Sequence, residues 1–165
     1  VYNLEDLKQN DELCDKIYQK FWLDNANNIN PWADENISSF KLFADTLNMN
    51  FNYSLSYGEY QDRGCYIKLT PDYYLDNKNY KKLLKDYTGN GYYFCVELKA
   101  FTSKLLNKKE YKVLCEWSTN NFVIEIQNKM FEMWFRDNQD YFSKESFLNY
   151  VESNEWEFDE NCNLF

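Results

Sequence analysis

At 165 residues the chain has the length of one domain and can bury a substantial core without metals or disulfide staples. With 44% hydrophobic and 20% aromatic residues, it carries too much bulky apolar surface to stay disordered. A net charge of −9 and only two Arg (Arg63 and Arg136) among 18 basic residues argue against a reader of nucleic acid. The absence of His excludes Ser-His-Asp and Cys-His dyads, HExxH zinc sites and imidazole acid–base catalysis.

Leu4, Leu7, Leu13, Ile17 and Phe21 recur at helical spacing and predict one helix over about 3–24, ended by the polar run 24–30 and Asn30-Pro31. Ile37, Phe40, Phe43, Ala44 and Leu47 predict a second over about 34–48. The period then changes to two. Phe51, Tyr53, Leu55 and Tyr57, a turn from Gly58 to Gly64, and Cys65, Ile67 and Leu69 predict a β-hairpin. Thr70-Pro71-Asp72 can open a helix with Pro in its first turn, and Tyr80, Leu83, Leu84 and Tyr87 give that helix its apolar side, with Gly89-Asn90-Gly91 as its end.

Residues 92–106 fit either a strand (Phe94, Val96, Leu98, Ala100) or a helix (Phe94, Leu98, Phe101, Leu105), and the length favours the helix. Tyr111, Val113, Cys115 and Trp117, a turn at 118–121, and Phe122, Ile124 and Ile126 predict a second hairpin. Residues 130–135 read as an aromatic helix. Ser143 caps another that carries Phe147, Tyr150 and Val151, and a short tail from Glu155 to Phe165 follows. The expected fold is therefore a single α+β domain, 1–165: an antiparallel sheet of about four strands in two hairpins, packed with helices on one face.

Charge is unevenly spread. Residues 1–36 hold eight acids against three bases, residues 143–165 hold six against one, and the stretch 78–112 holds nine Lys against three acids. The five Cys are odd in number and lack a C-x-x-C pair, which points to free thiols in a reducing cytosol. A basic-then-apolar leader and a membrane-length apolar run are both missing, so a cytoplasmic protein is expected.

One arrangement resembles a catalytic pattern. Pro71-Asp72 followed by Glu97-Leu98-Lys99 has the order of the Mg²⁺-dependent PD-(D/E)xK nucleases, in which two carboxylates hold the metal and a Lys helps to activate water. That chemistry needs Glu97 and Lys99 on a strand; on a helix they lie about 200° apart. Glu155, Glu157, Asp159 and Glu160 have no recognisable cleft to raise a carboxyl pKa and are read as an acidic surface. No catalytic residue, metal ligand or cofactor is assigned.

The segment Asn52-Tyr-Ser-Leu-Ser-Tyr-Gly-Glu-Tyr-Gln-Asp-Arg-Gly64-Cys-Tyr-Ile67 resembles the S-Y-S-Q-G-D-G-A-x-F motif of a family of small, acidic, uncharacterised bacteriophage proteins. Asn154-Glu-Trp-Glu-Phe-Asp-Glu-Asn-Cys-Asn-Leu-Phe165 is similar to their terminal N-E-Y-E-F-T-E-D-G-K-x-F. Gln61-Asp62-Arg63-Gly64 replaces Q-G-D-G here, and Cys162 stands where that family has Gly. The resemblance implies a phage accessory protein acting in a bacterial host cell.

Small acidic phage proteins without active sites commonly occupy a host protein, and nucleic-acid-targeting defence enzymes offer basic grooves. The expected function is inhibition of such an effector, anti-CRISPR-like or anti-restriction-like, through Glu152, Glu155, Trp156, Glu157, Asp159 and Glu160. The expected partner is a basic host protein or nucleoprotein complex, with no direct nucleic-acid or membrane binding. The alternatives are the Mg²⁺-dependent nuclease and a self-associating structural or regulatory phage protein.

Overall fold

A computed structural model describes residues 1–24, 33–55, 64–87, 93–111 and 121–165. The described chain mixes helix and strand: α1 (Leu4–Gln9), α2 (Asp11–Asp24), α3 (Ala33–Thr46), β1 (Met49–Ser54), β2 (Tyr66–Pro71), α4 (Asn77–Asp86), α5 (Tyr93–Leu106), α6 (Phe122–Tyr141) and α7 (Lys144–Asn154). It divides into two compact units, a terminal unit built from residues 1–24 and 137–165 and a central unit from the described residues between 33 and 136.

In the terminal unit the predicted first helix is two helices. Asn3 opens α1 with a capping box, its side chain accepting from the Asp6 N–H while the Asp6 carboxylate accepts from the Asn3 N–H. The apolar stripe then crosses a break at Asn10, which is extended (φ −136°, ψ 96°). Its Oδ1 accepts from the Leu13 N–H at 3.1 Å, so the residue that ends α1 also starts α2. Asn competes with helical hydrogen bonding in this way, which a hydrophobic period does not register. Ser143 caps α7 as its sequence predicts, accepting from the Ser146 N–H. Leu7, Cys14 and Ile17 pack with Phe147, Val151 and Phe158 into one buried cluster. The tail is part of that core, because the Phe158 backbone pairs with both Tyr2 and Leu164.

Helix α7 ends on a left-handed residue that is not glycine. Glu155 has φ 51° and ψ 40°; its N–H donates to the Glu152 carbonyl, and the Trp156 N–H donates to the Val151 carbonyl at 3.0 Å. This closes the last turn at the steric cost that a Cβ meets at positive φ. Glu155→Gly is therefore expected to stabilise the terminal unit by about 0.5–1 kcal/mol, read as a higher urea midpoint at unchanged slope. Cys162 is also left-handed, at φ 64°.

The central unit contains the first hairpin as predicted. β1 and β2 are antiparallel with Phe51 opposite Leu69 and Tyr53 opposite Ile67, and Met49, Ile67 and Leu69 are buried. The turn residues 56–63 lie outside the described residues. α3 lays Phe40, Phe43, Ala44 and Leu47 into the core, and its Ser39 hydroxyl donates to the Glu35 carbonyl. Residues 93–106 are the helix that their length favours, with Phe94, Cys95, Leu98 and Leu105 buried.

Two expectations are corrected. The second hairpin is not formed as predicted: Phe122, Ile124 and Ile126 belong to the 20-residue helix α6, while residues 112–120 lie outside the described residues. The alternation of Phe122, Ile124 and Ile126 conceals a helical stripe. Phe122, Val123, Ile126, Met130, Met133 and Trp134 are buried, whereas Ile124 is exposed. Asn121, read as a turn residue, is the cap of α6: its Oδ1 accepts from the Val123 N–H at 3.0 Å and its carbonyl from the Glu125 N–H. Among the described residues the sheet therefore has two strands rather than about four.

The second correction concerns Pro71. It ends β2 opposite Met49, and α4 starts later, where the Asp76 carboxylate accepts from the Asn79 N–H at 2.8 Å. Proline tolerates an edge strand, so its presence did not mark a first helical turn.

Candidate functional site: the acidic terminal surface

Folding gathers the two acidic ends of the chain into one unit. Residues 1–24 and 137–165 together carry fourteen Asp or Glu against four Lys, a net charge of −10. Ion pairs engage part of this charge: Glu5 with Lys8, Glu12 with Lys16, and Asp15 with Lys144. Glu152, Glu155, Glu157 and Glu160 are exposed, and no cation of the described residues lies within ion-pair distance of them. Solvated and without partners among the described residues, these four carboxylates keep an outward field that the paired ones lose.

The other two predicted contact residues are built into the fold. Trp156 is half-buried at the edge of the terminal core with its ring 5.3 Å from that of Phe21. Asp159 holds the tail turn: Oδ1 accepts from the backbone N–H groups of Asn161 at 2.8 Å and Asn163 at 2.9 Å, and Oδ2 accepts from the Asn163 amide. The Asn163 N–H chiefly, with the Asn163 amide, the Asn161 N–H and the charge of Lys20, holds the Asp159 carboxyl below its usual range against the opposing effect of desolvation. Trp22 likewise packs within its own unit, 4.7 Å from Phe142 and 6.2 Å from Tyr141, and Tyr141 meets Tyr150 at 6.0 Å. Aromatics that lie among acids in the sequence thus serve the core edge. Of the six predicted contact residues, four present exposed carboxylates.

The nuclease-like residues are not brought together in the required way. Asp72 follows β2, whereas Glu97 and Lys99 sit on α5 and point to different sides of it. The Lys99 ammonium lies 5.9 Å from the centre of the Tyr87 ring. Glu97 instead faces two cations of α6, with Oε1 at 3.2 Å from Lys129 Nζ and Oε2 at 3.1 Å from an Arg136 nitrogen. Lys129 also stands 5.4 Å from the centre of the Phe101 ring. Burial by itself would raise the Glu97 carboxyl, but hydrogen bonds from Tyr93, Lys129 and Arg136 outweigh it and hold that carboxyl below its usual range. This ionic seam is not apparent from local sequence patterns. Its one trace is the seven-residue spacing of Lys129 and Arg136, which puts both on one side of a helix.

Among the described residues no group of three or more Cys, Asp or Glu is placed to hold a metal ion, and no helix is long and apolar enough to cross a membrane. No protein-family model, curated protein or solved structure matches the chain.

Proposed function

We propose that this chain is a phage-encoded binding protein that inhibits a nucleic-acid-targeting defence effector of its bacterial host, in the manner of anti-CRISPR or anti-restriction proteins, by occupying a basic surface. It acts in the host cytoplasm by association, without catalysis or a cofactor. The observation that supports this reading is the convergence of both acidic ends on one unit, with Glu152, Glu155, Glu157 and Glu160 exposed and without ion-pair partners among the described residues. A basic groove that normally takes a phosphate backbone is complementary to such a surface, and its field steers encounter before contact.

The test is inhibition of DNA or RNA cleavage by a panel of purified restriction and CRISPR effector complexes, followed by binding kinetics on any that respond. Replacing Glu152, Glu155, Glu157 and Glu160 with Gln is expected to slow association by about tenfold at low salt, because steering scales with the charge on the approaching surface. Asp159 is left intact because its carboxylate holds the turn. Added salt should shrink the difference as the field is screened to about 8 Å near physiological ionic strength. An affinity that neither salt nor the four substitutions changes removes the electrostatic mechanism.

A further inference from the structure

Helix α4 presents a surface of the opposite sign. Its ten residues include Lys78, Lys81, Lys82 and Lys85, all exposed, against Asp86. At 100° per residue the four fall within an arc of about 100°, opposite the buried Tyr80 and Leu84. Lys78 and Lys85 each stand three or four residues from Lys81 and Lys82 and repel them, and Lys78 sits in the first turn, where a cation opposes the helix dipole. No acid lies in that turn, and the carboxylate of Asp76 is engaged in the cap. Among the described residues no carboxylate is within ion-pair distance of any of the four. The stripe is thus an unneutralised, self-repelling row about 10 Å long on a chain whose net charge is −9.

We infer that the α4 lysine stripe docks the acidic terminal surface of a second copy of this chain, with Glu152, Glu155, Glu157 and Glu160 as the facing carboxylates. Charge complementarity carries the argument, since each surface holds four exposed charges of one sign that lack partners among the described residues. A nucleic-acid duplex fits less well: it is negative along its whole length, the protein's net charge repels it, and the stripe contains no Arg to grip phosphate bidentately. A second copy offers a bounded acidic patch. The contact is either made twice in a reciprocal two-fold dimer or made once head-to-tail, in which case repeated contacts build open chains unless the rotation closes a ring. The inference rests on charge placement alone; it shares the four carboxylates with the proposed effector contact, and sedimentation of the chain by itself tests it with no effector present.

Sedimentation velocity of the full chain tests it. At about 0.15 M salt the weight-average sedimentation coefficient should rise with protein concentration, and at about 1 M salt, where the screening length falls to about 3 Å, it should not. Reversing all four lysines (Lys78→Glu, Lys81→Glu, Lys82→Glu, Lys85→Glu) should weaken self-association by about tenfold or more, and so should reversing Glu152, Glu155, Glu157 and Glu160 to Lys. An equimolar mixture of the two variants should restore a 1:1 complex, because each retains the surface that the other lacks. Far-UV circular dichroism checks the fold, and the four Lys→Gln substitutions replace Lys→Glu if the reversed helix melts. A wild-type chain that stays monomeric at about 0.15 M salt overturns the inference. So does self-association that the variants leave unchanged. A monomeric chain that binds a fluorescein-labelled DNA duplex through the same lysines assigns the stripe to nucleic acid instead.

Discussion

Phe147→Ala is expected to destabilise the terminal unit by about 3–5 kcal/mol, the largest effect of any single substitution proposed for this chain. The Phe147 side chain is fully buried and meets Tyr18 at 5.6 Å, Phe21 at 5.1 Å and Phe158 at 6.2 Å between ring centres. It therefore joins α2, α7 and the tail at one point. The buried cluster around it is small, so the cavity has few neighbours able to close it. Hydrogen exchange followed by mass spectrometry should show α1, α2 and α7 losing protection while α3, α4 and α5 retain theirs. Equal loss throughout would mean that the two units unfold as one.

The second large effect is at the ionic seam of the central unit. Glu97→Ala removes the counter-charge of Lys129, whose side chain is only 17% exposed, and of Arg136, which is 44% exposed. Lys129 keeps the more exposed Glu132 at 3.4 Å, and water screens Arg136, so the loss should cost about 1 kcal/mol, well below the figure for a fully buried pair. The pH dependence has a definite sign. The Glu97 carboxyl is held below its usual range in the fold, so the unfolded chain binds more protons on acidification. Its contribution is fully present above the ordinary carboxyl value of 4.5 and is lost as pH falls through the lower folded value. The gap in urea midpoint between wild type and Glu97→Gln should accordingly be widest at neutral pH and narrow below about pH 4.

Elements with a single consistent apolar period could be read from the sequence. α3, α7 and the hairpin of β1 with β2 are of this kind, since their apolar spacing matched the structure and Ser143 announced its helix. Failures arose where two periods fit the same residues. Phe122, Ile124 and Ile126 satisfy a period of two, yet Val123 between them is buried too, and only continuation to Met130 and Trp134 reveals the helix. Local competitors caused the rest: Asn10 splits a continuous stripe, and Pro71 serves a strand end. At the candidate site, the charge of Glu152, Glu155, Glu157 and Glu160 was legible because exposed acids need no partner. The turn-forming role of Asp159 and the packing of Trp156 on Phe21 were not, because both depend on the folded path of the chain.

The order of synthesis adds a constraint. Leu7, Cys14 and Ile17 are synthesised well before Phe147, Val151 and Phe158, which cover them. At typical elongation rates the gap is on the order of 10 s, far longer than the microseconds a helix needs to form. The helices α3 to α5 of the central unit precede α7 by enough residues to leave the ribosome and begin packing before α7 is complete. The first two helices must meanwhile wait with their apolar sides uncovered. The closing event, in which the Phe158 and Tyr2 backbones exchange hydrogen bonds of 2.6 and 2.8 Å, joins residues 156 positions apart. The acidic surface is therefore assembled late, on a time set by translation rather than by the speed of its own folding.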